Sequence, residues 1–198
     1  MNLNDVKIRG NAYSYNEFIQ QVKKLFNQKQ VTGSEQSEAK LEATKINIQR
    51  FDRLYKTTVL SEVLTLTIKS IKAPQMWYLI VEGWCGDCAQ IVPVVAKISE
   101  VNPFIELKMV IRDENPEFMD SYLTNGGKSV PKLVCYDKQT GNEVAQWGPR
   151  PQKIQEKVKA LKTSNPEISH DEFVLNVHTW YAQDKTQSIQ SDFINLFS

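Results

Sequence analysis

Two cysteines separated by two residues, Cys85-Gly86-Asp87-Cys88, carry the clearest chemistry in this 198-residue chain. The thiolate is the nucleophilic form of cysteine. A free thiol titrates near ~8.5, and a helix N-terminus in a Cys-X-X-Cys arrangement brings that to roughly 3.5–7.5. The spacing puts the second sulfur about one helical turn behind the first, where it can attack a mixed disulfide formed there. Cys85 is therefore the expected nucleophile and Cys88 the shielded resolving thiol. The run before them, Met76–Val81, is β-branched and aromatic, as in a buried strand, and a helix is expected from Cys85 to about Val101. Such a strand would fix the position of Cys85. The helix N-terminus would add unpaired N–H groups and positive dipole density.

Metal binding is the competing use of two cysteines. A structural zinc needs four ligands; Cys135 is expected in the core, and His170 and His178 lie far along the tail. A metal role would need a partner chain, so no metal is expected; no organic cofactor is expected either, because two sulfurs can carry two electrons. The composition, 41% hydrophobic and 24% charged, is that of a globular protein. A net charge of +1 offers no broad surface to nucleic acid or an anionic membrane. It is uneven: residues 1–72 carry +5 and residues 73–198 carry −4, which favours attraction between the two parts. The first residues, Met1 to Lys7, have neither the basic leader nor the apolar core of a secretory signal. No apolar run approaches the ~20 residues of a membrane-spanning helix. The expected location is cytoplasmic, and three cysteines make no disulfide framework.

The elements that must position the site follow from periodicity. Ser14-Tyr15-Asn16-Glu17 opens a helix with a capping box, and Phe18, Val22, Leu25 and Phe26 share a face. A second helix is expected over about 35–56 and a third over about 60–72, ended by Ala73-Pro74. After the helix at Cys85 come a strand near 104–111, a helix near 116–123, strands near 132–136 and 143–147, and a helix near 152–161. Strands alternating with helices, then a hairpin, give an α/β domain with a mixed sheet. A second capping box, Ser169 to Glu172, opens an amphipathic tail. The expected organisation is a helical extension over 1–72, a core over 73–163 and a helical tail over 164–198. Along the second helix Thr44, Asn47, Arg50 and Arg53 recur every third residue. This is either a solvated face or a face whose arginines dock near Glu82 and Asp87.

With these residues in view, the stretch of about 74–161 resembles the thioredoxin superfamily, most closely a bacterial branch with helical extensions at both ends. Trp84 stands before the first cysteine, Pro93 stands where that family kinks its active-site helix, and Val130-Pro131 matches its cis-proline. Gly148 corresponds to the glycine that keeps the substrate groove open. The resemblance implies a thioredoxin-like mixed sheet flanked by helices. The implied activity is thiol–disulfide exchange with protein or small disulfides, the dithiol being restored by a reductase or a low-molecular-weight thiol. Cys85 and Cys88 would react. Trp84, Gly86, Asp87, Glu82, Val130 and Pro131 would support them, and Gly148 and Arg150 would border the groove. Glu82, in place of Thr or Ser, separates the site from a peroxiredoxin's, and Gly-Asp in place of Pro-Tyr separates it from a glutaredoxin's.

Four departures stand out. Asp87 replaces a proline and would compete with a thiolate for the same positive field, so Asp87→Pro is expected to make Cys85 more acidic. Leu79 stands at the position of the family's buried aspartate, leaving Glu82 either as its substitute or as a solvated loop residue. The family's first strand is not evident. Trp147-Gly148-Pro149-Arg150-Pro151 is more elaborate than a plain loop; its Arg150 either meets an acidic partner or a thiolate, or is simply a surface residue. Fold alone does not settle function; the alternative is an adaptor that displays a groove and catalyses weakly or not at all.

Overall fold

A computed structural model describes all residues 1–198. Five strands form one mixed sheet in the order β1-β3-β2-β4-β5. β2 (Gln75–Val81) is central, parallel to β3 (Ile105–Ile111) and antiparallel to β4 (Lys132–Asp137). β5 (Glu143–Trp147) closes a hairpin with β4. The apolar Trp77–Val81 run fits this place, because β2 is paired on both edges and covered on both faces. The strand missing from the sequence reading is present as β1 (Ala12–Tyr13), antiparallel to β3 through Val110 and Met109. Two residues are too few to show a period of two.

The helices are α1 (Tyr15–Asn27), α2 (Glu38–Thr57), α3 (Glu62–Lys69), α4 (Gly86–Glu100), α5 (Pro116–Asp120), α6 (Gln152–Ser164), α7 (His170–Asp184) and α8 (Gln187–Phe197). The Ser14–Glu17 capping box is formed as expected. α2 and α3 begin later than periodicity suggests because Ser37 and Ser61 take the cap positions, each side chain accepting from the backbone N–H three residues on. The tail breaks at Lys185 and Thr186, both in left-handed conformations.

α4 links β2 to β3 and is buried along most of its length, Pro93 included. α2 packs along α4. Phe18 and Phe51 meet edge to face at 5.8 Å, and both join the apolar core that contains Leu64, Ile68 and the sheet. On the far side Trp77 stacks on Phe197 at 5.0 Å, and Phe193 packs against Trp77 and Trp147. The helices before and after the sheet thus share one core with it. Cys135 lies inside β4 opposite Trp77, fully buried, and burial pushes its thiol up. No helix is long and apolar enough to cross a membrane.

Candidate active site

β2 ends at Val81, and the turn Glu82–Trp84 delivers Cys85 to the N-cap of α4. The Cys85 sulfur takes the place of a capping oxygen and accepts the Cys88 backbone N–H at 3.5 Å. Cys85 is half-buried, Cys88 is fully buried, and both are free thiols. The Cys85 S–H donates to the Val130 carbonyl at 3.3 Å, across the Val130–Pro131 bond, which is cis. Burial raises the Cys88 thiol well above its ordinary value, the neighbouring Cys85 sulfur adds to this, and the Glu82 backbone N–H opposes it. The arrangement gives one accessible sulfur at a helix N-terminus and one protonated sulfur a turn behind it.

Trp84 is held from three sides. Its indole N–H donates to the Thr32 carbonyl at 3.1 Å, and its ring lies 4.1 Å from Lys40 Nζ and 5.1 Å from the Arg112 guanidinium. Lys40 belongs to α2 and Arg112 follows β3, so the indole ties the cysteine turn to both.

Glu82 is not a solvated loop residue. It is fully buried, accepts from the Thr32 hydroxyl, and accepts the Asp113 backbone N–H at 3.1 Å. Thr32 Oγ1 in turn accepts the Gly83 N–H at 2.8 Å. The carboxylate therefore fastens the α1–α2 connection and residue 113 beneath the cysteine turn. Both its side-chain bonds are to these groups and not to Cys88, which only the Glu82 backbone reaches. Burial, the largest cause, lifts its pKa to about 7 against the Thr32 bond. An acid whose folded pKa lies above its unfolded value binds more protons when folded, so its contribution to stability is lost as pH rises from about 4.5 to about 7. Glu82→Gln removes that titration. It is expected to gain about 3 kcal/mol relative to wild type at pH 8 compared with pH 4. Urea unfolding at the two pH values checks it; an unchanged difference contradicts the burial argument.

Asp87 turns inward. Arg150 holds both its oxygens, Nε to Oδ1 at 3.0 Å and Nη2 to Oδ2 at 2.7 Å, and the Tyr181 hydroxyl donates to Oδ1 at 2.9 Å. Burial raises the Asp87 pKa, and Arg150 and Tyr181 pull it back. A free Asp87 charge would compete with a thiolate, as expected from the sequence; instead Arg150 neutralises that charge in a two-pronged ion pair. Arg150 correspondingly spans from the loop after β5 to α4 instead of standing free at a groove. Gly148 has φ +118, and a Cβ there would collide with the Pro131 carbonyl. It thus lets the loop after β5 lie against the strand that begins at Pro131. The Gly148–Pro149 bond is also cis.

The stripe on α2 is docked on the site rather than solvated. Thr44 and Asn47 are buried, and Asn47 Nδ2 donates to the Gly83 carbonyl at 3.0 Å. Arg50 Nη1 bonds Asn47 Oδ1 and His178 Nε2, each at 3.1 Å. Its partners are thus neutral groups and not Glu82 or Asp87. Sequence reasoning placed His178 in the structural tail, yet its ring lies against Gly86: a Cβ on Gly86 would sit 2.9 Å from His178 Cε1. Burial and the Arg50 charge push His178 down to about 4, so it is a neutral imidazole. The one sequence signal was the spacing of Val174, Val177, His178 and Tyr181 on α7. Between α2 and α7 a cavity of about 570 Å³ opens onto Trp84, Cys85 and Gly86; its lining does not include Val130, Pro131 or Gly148. No group of three His, Cys, Asp or Glu side chains stands close enough to hold a metal ion.

Comparison with known proteins agrees with this architecture. A search of curated proteins finds no match. Among solved structures, a Pseudomonas aeruginosa protein of unknown function superposes with a TM-score of 0.55 at 14% identity, over 93% of this chain and 96% of that one. An HIV epitope scaffold does so with a TM-score of 0.53 at 15% identity, over 88% and 95%. At these identities the likeness is one of fold, and it takes in the helices on both sides of the sheet. A family model described as thioredoxin matches residues 33–162, wider than the motifs alone because it includes α2 and α3. The chain belongs to the thioredoxin family.

Proposed function

We propose that the protein is a thiol–disulfide oxidoreductase. Cys85 attacks a substrate disulfide, one sulfur leaves with the electron pair as a thiolate, and Cys88 then gives up its proton and attacks Cys85. The products are a Cys85–Cys88 disulfide and a second free thiol. The two sulfurs carry the two electrons, so the reaction needs no organic cofactor. The electron donor that restores the dithiol is a reductase or a low-molecular-weight thiol.

The observation that supports this reading is the contrast between the two sulfurs. Cys85 is accessible at the α4 N-cap, and Cys88 is enclosed one turn behind and bonded to it through its own N–H. A purely structural pair has no need of that asymmetry. Trp84, Gly86, Asp87, Glu82, Val130 and Pro131 support the pair; Gly148 and Arg150 shape the neighbouring loop.

Wild type is expected to reduce insulin or 2-hydroxyethyl disulfide faster than the Cys85→Ser/Cys88→Ser double variant under the same reductant. Equal rates with both substrates would leave the adaptor reading, in which the fold only displays a binding surface.

A further inference from the structure

Beyond the pair of sulfurs, the structure holds a half-open cavity whose chemistry the exchange reaction leaves unassigned. The cavity between α2 and α7 has Cys85, Gly86 and Trp84 on one side and apolar walls from Ala43, Phe173 and Val174. Its volume of about 570 Å³ falls within the ~300–1,000 Å³ of small-molecule sites. Three long basic side chains line it. Lys40 is paired with Glu35 at 2.8 Å and Arg150 with Asp87 at 2.7 Å. Arg50 is half-buried and has no carboxylate among its partners; its two bonds go to Asn47 Oδ1 and His178 Nε2.

We propose that this cavity binds small disulfides that carry a carboxylate, with Arg50 receiving the carboxylate while Cys85 meets the sulfur. The inference rests on the oxidoreductase reading and names its substrate class. A half-buried guanidinium whose only partners are neutral still has its charge uncompensated, and a carboxylate meets its planar fork with charge-assisted bonds. His178 is an acceptor for Arg50 rather than a second cation, so it orients the guanidinium without repelling it. The remaining acids at the cavity, Glu35 and Asp87, are each held by a cation of their own, and His170 stands exposed at its rim. The volume of this cleft between two helices matches a compact disulfide.

The reaction balances as one exchange. The Cys85 thiolate displaces one half of the disulfide as a carboxylate-bearing thiol, and Cys88 displaces the other. The protein dithiol is oxidised by two electrons, and the small disulfide is reduced to two thiols.

The test compares dithiodipropionate (an anion at each end), 2-hydroxyethyl disulfide (neutral) and cystamine (cationic) as oxidants of the reduced full-length protein. Each rate is divided by that of the same disulfide with free dithiothreitol, which removes intrinsic reactivity. The wild type should then prefer dithiodipropionate to both others. The anionic-to-neutral ratio should fall about tenfold in Arg50→Gln, with Arg50→Lys retaining more of it. A wild-type ratio near one, or a ratio unmoved by Arg50→Gln, overturns the inference while leaving the oxidoreductase reading intact. Should Arg50→Gln not fold, the wild-type order of the three disulfides still decides. Failure of all three to oxidise the protein would instead sink the oxidoreductase reading itself.

Discussion

Cys88→Ser is expected to accumulate a stable mixed disulfide at Cys85 with any disulfide it meets, whereas Cys85→Ser forms none. The asymmetry follows from where the sulfurs stand. Cys85 caps α4 in a position open to the cavity, its S–H resting on the Val130 carbonyl. Cys88 is sealed in the core, with burial holding its proton on. Removing Cys88 leaves the first attack possible and deletes the second. Removing Cys85 deletes the first, because a serine hydroxyl is a far weaker nucleophile than a thiolate. Turnover should fall by roughly three orders of magnitude or more in either variant. Intact-mass measurement after brief exposure to 2-hydroxyethyl disulfide separates them: Cys88→Ser gains one adduct of the half-disulfide and Cys85→Ser gains none. An adduct on Cys85→Ser would reverse the two roles.

The second large effect concerns stability. Arg150→Ala is expected to destabilise the fold by about 3 kcal/mol at neutral pH, because it leaves the enclosed Asp87 carboxylate with the Tyr181 hydroxyl as its only side-chain partner. Desolvation already raises the Asp87 pKa, and loss of the guanidinium raises it further. A carboxylic acid with a raised folded pKa loses its stabilising contribution as pH rises, so the deficit should be largest at neutral pH and shrink toward pH 4. In a double-mutant cycle, Asp87→Asn should recover part of the deficit in the Arg150→Ala background, since no charge is then left enclosed. Chemical denaturation of the four proteins at both pH values checks this. A deficit that is the same at both pH values would mean that Arg150 acts by packing and not by charge.

How much of this was legible in the sequence depends on the distance over which each feature is set. The Cys85–Cys88 pair, Trp84 before it, and Val130-Pro131 stand in local motifs, and the structure brings Cys85 to Val130 as the resemblance implied. The helix caps at Ser14 and Ser169 were readable for the same reason, each being settled within four residues. Glu82 was ambiguous because its burial depends on Thr32, fifty positions earlier. Asp87 was misread because its partners, Arg150 and Tyr181, are 63 and 94 residues away. Arg50 meeting His178, 128 residues on, has no signal in either helix alone. Periodicity shows which face of a helix is turned inward; it does not show what waits there. The opposite charges of the chain's two parts suggest attraction between them, yet the ion pairs around the site each lie within one part: Lys40 with Glu35 in the first, Arg150 with Asp87 and Arg112 with Asp113 in the second.

The central claim is that Cys85 and Cys88 interconvert between dithiol and disulfide, and a redox titration of the full-length protein with thiol counting at each potential tests it most directly. Three thiols are expected at reducing potentials and one, Cys135, at oxidising potentials, through a single two-electron step that vanishes in Cys85→Ser. Three thiols at every potential would contradict the account.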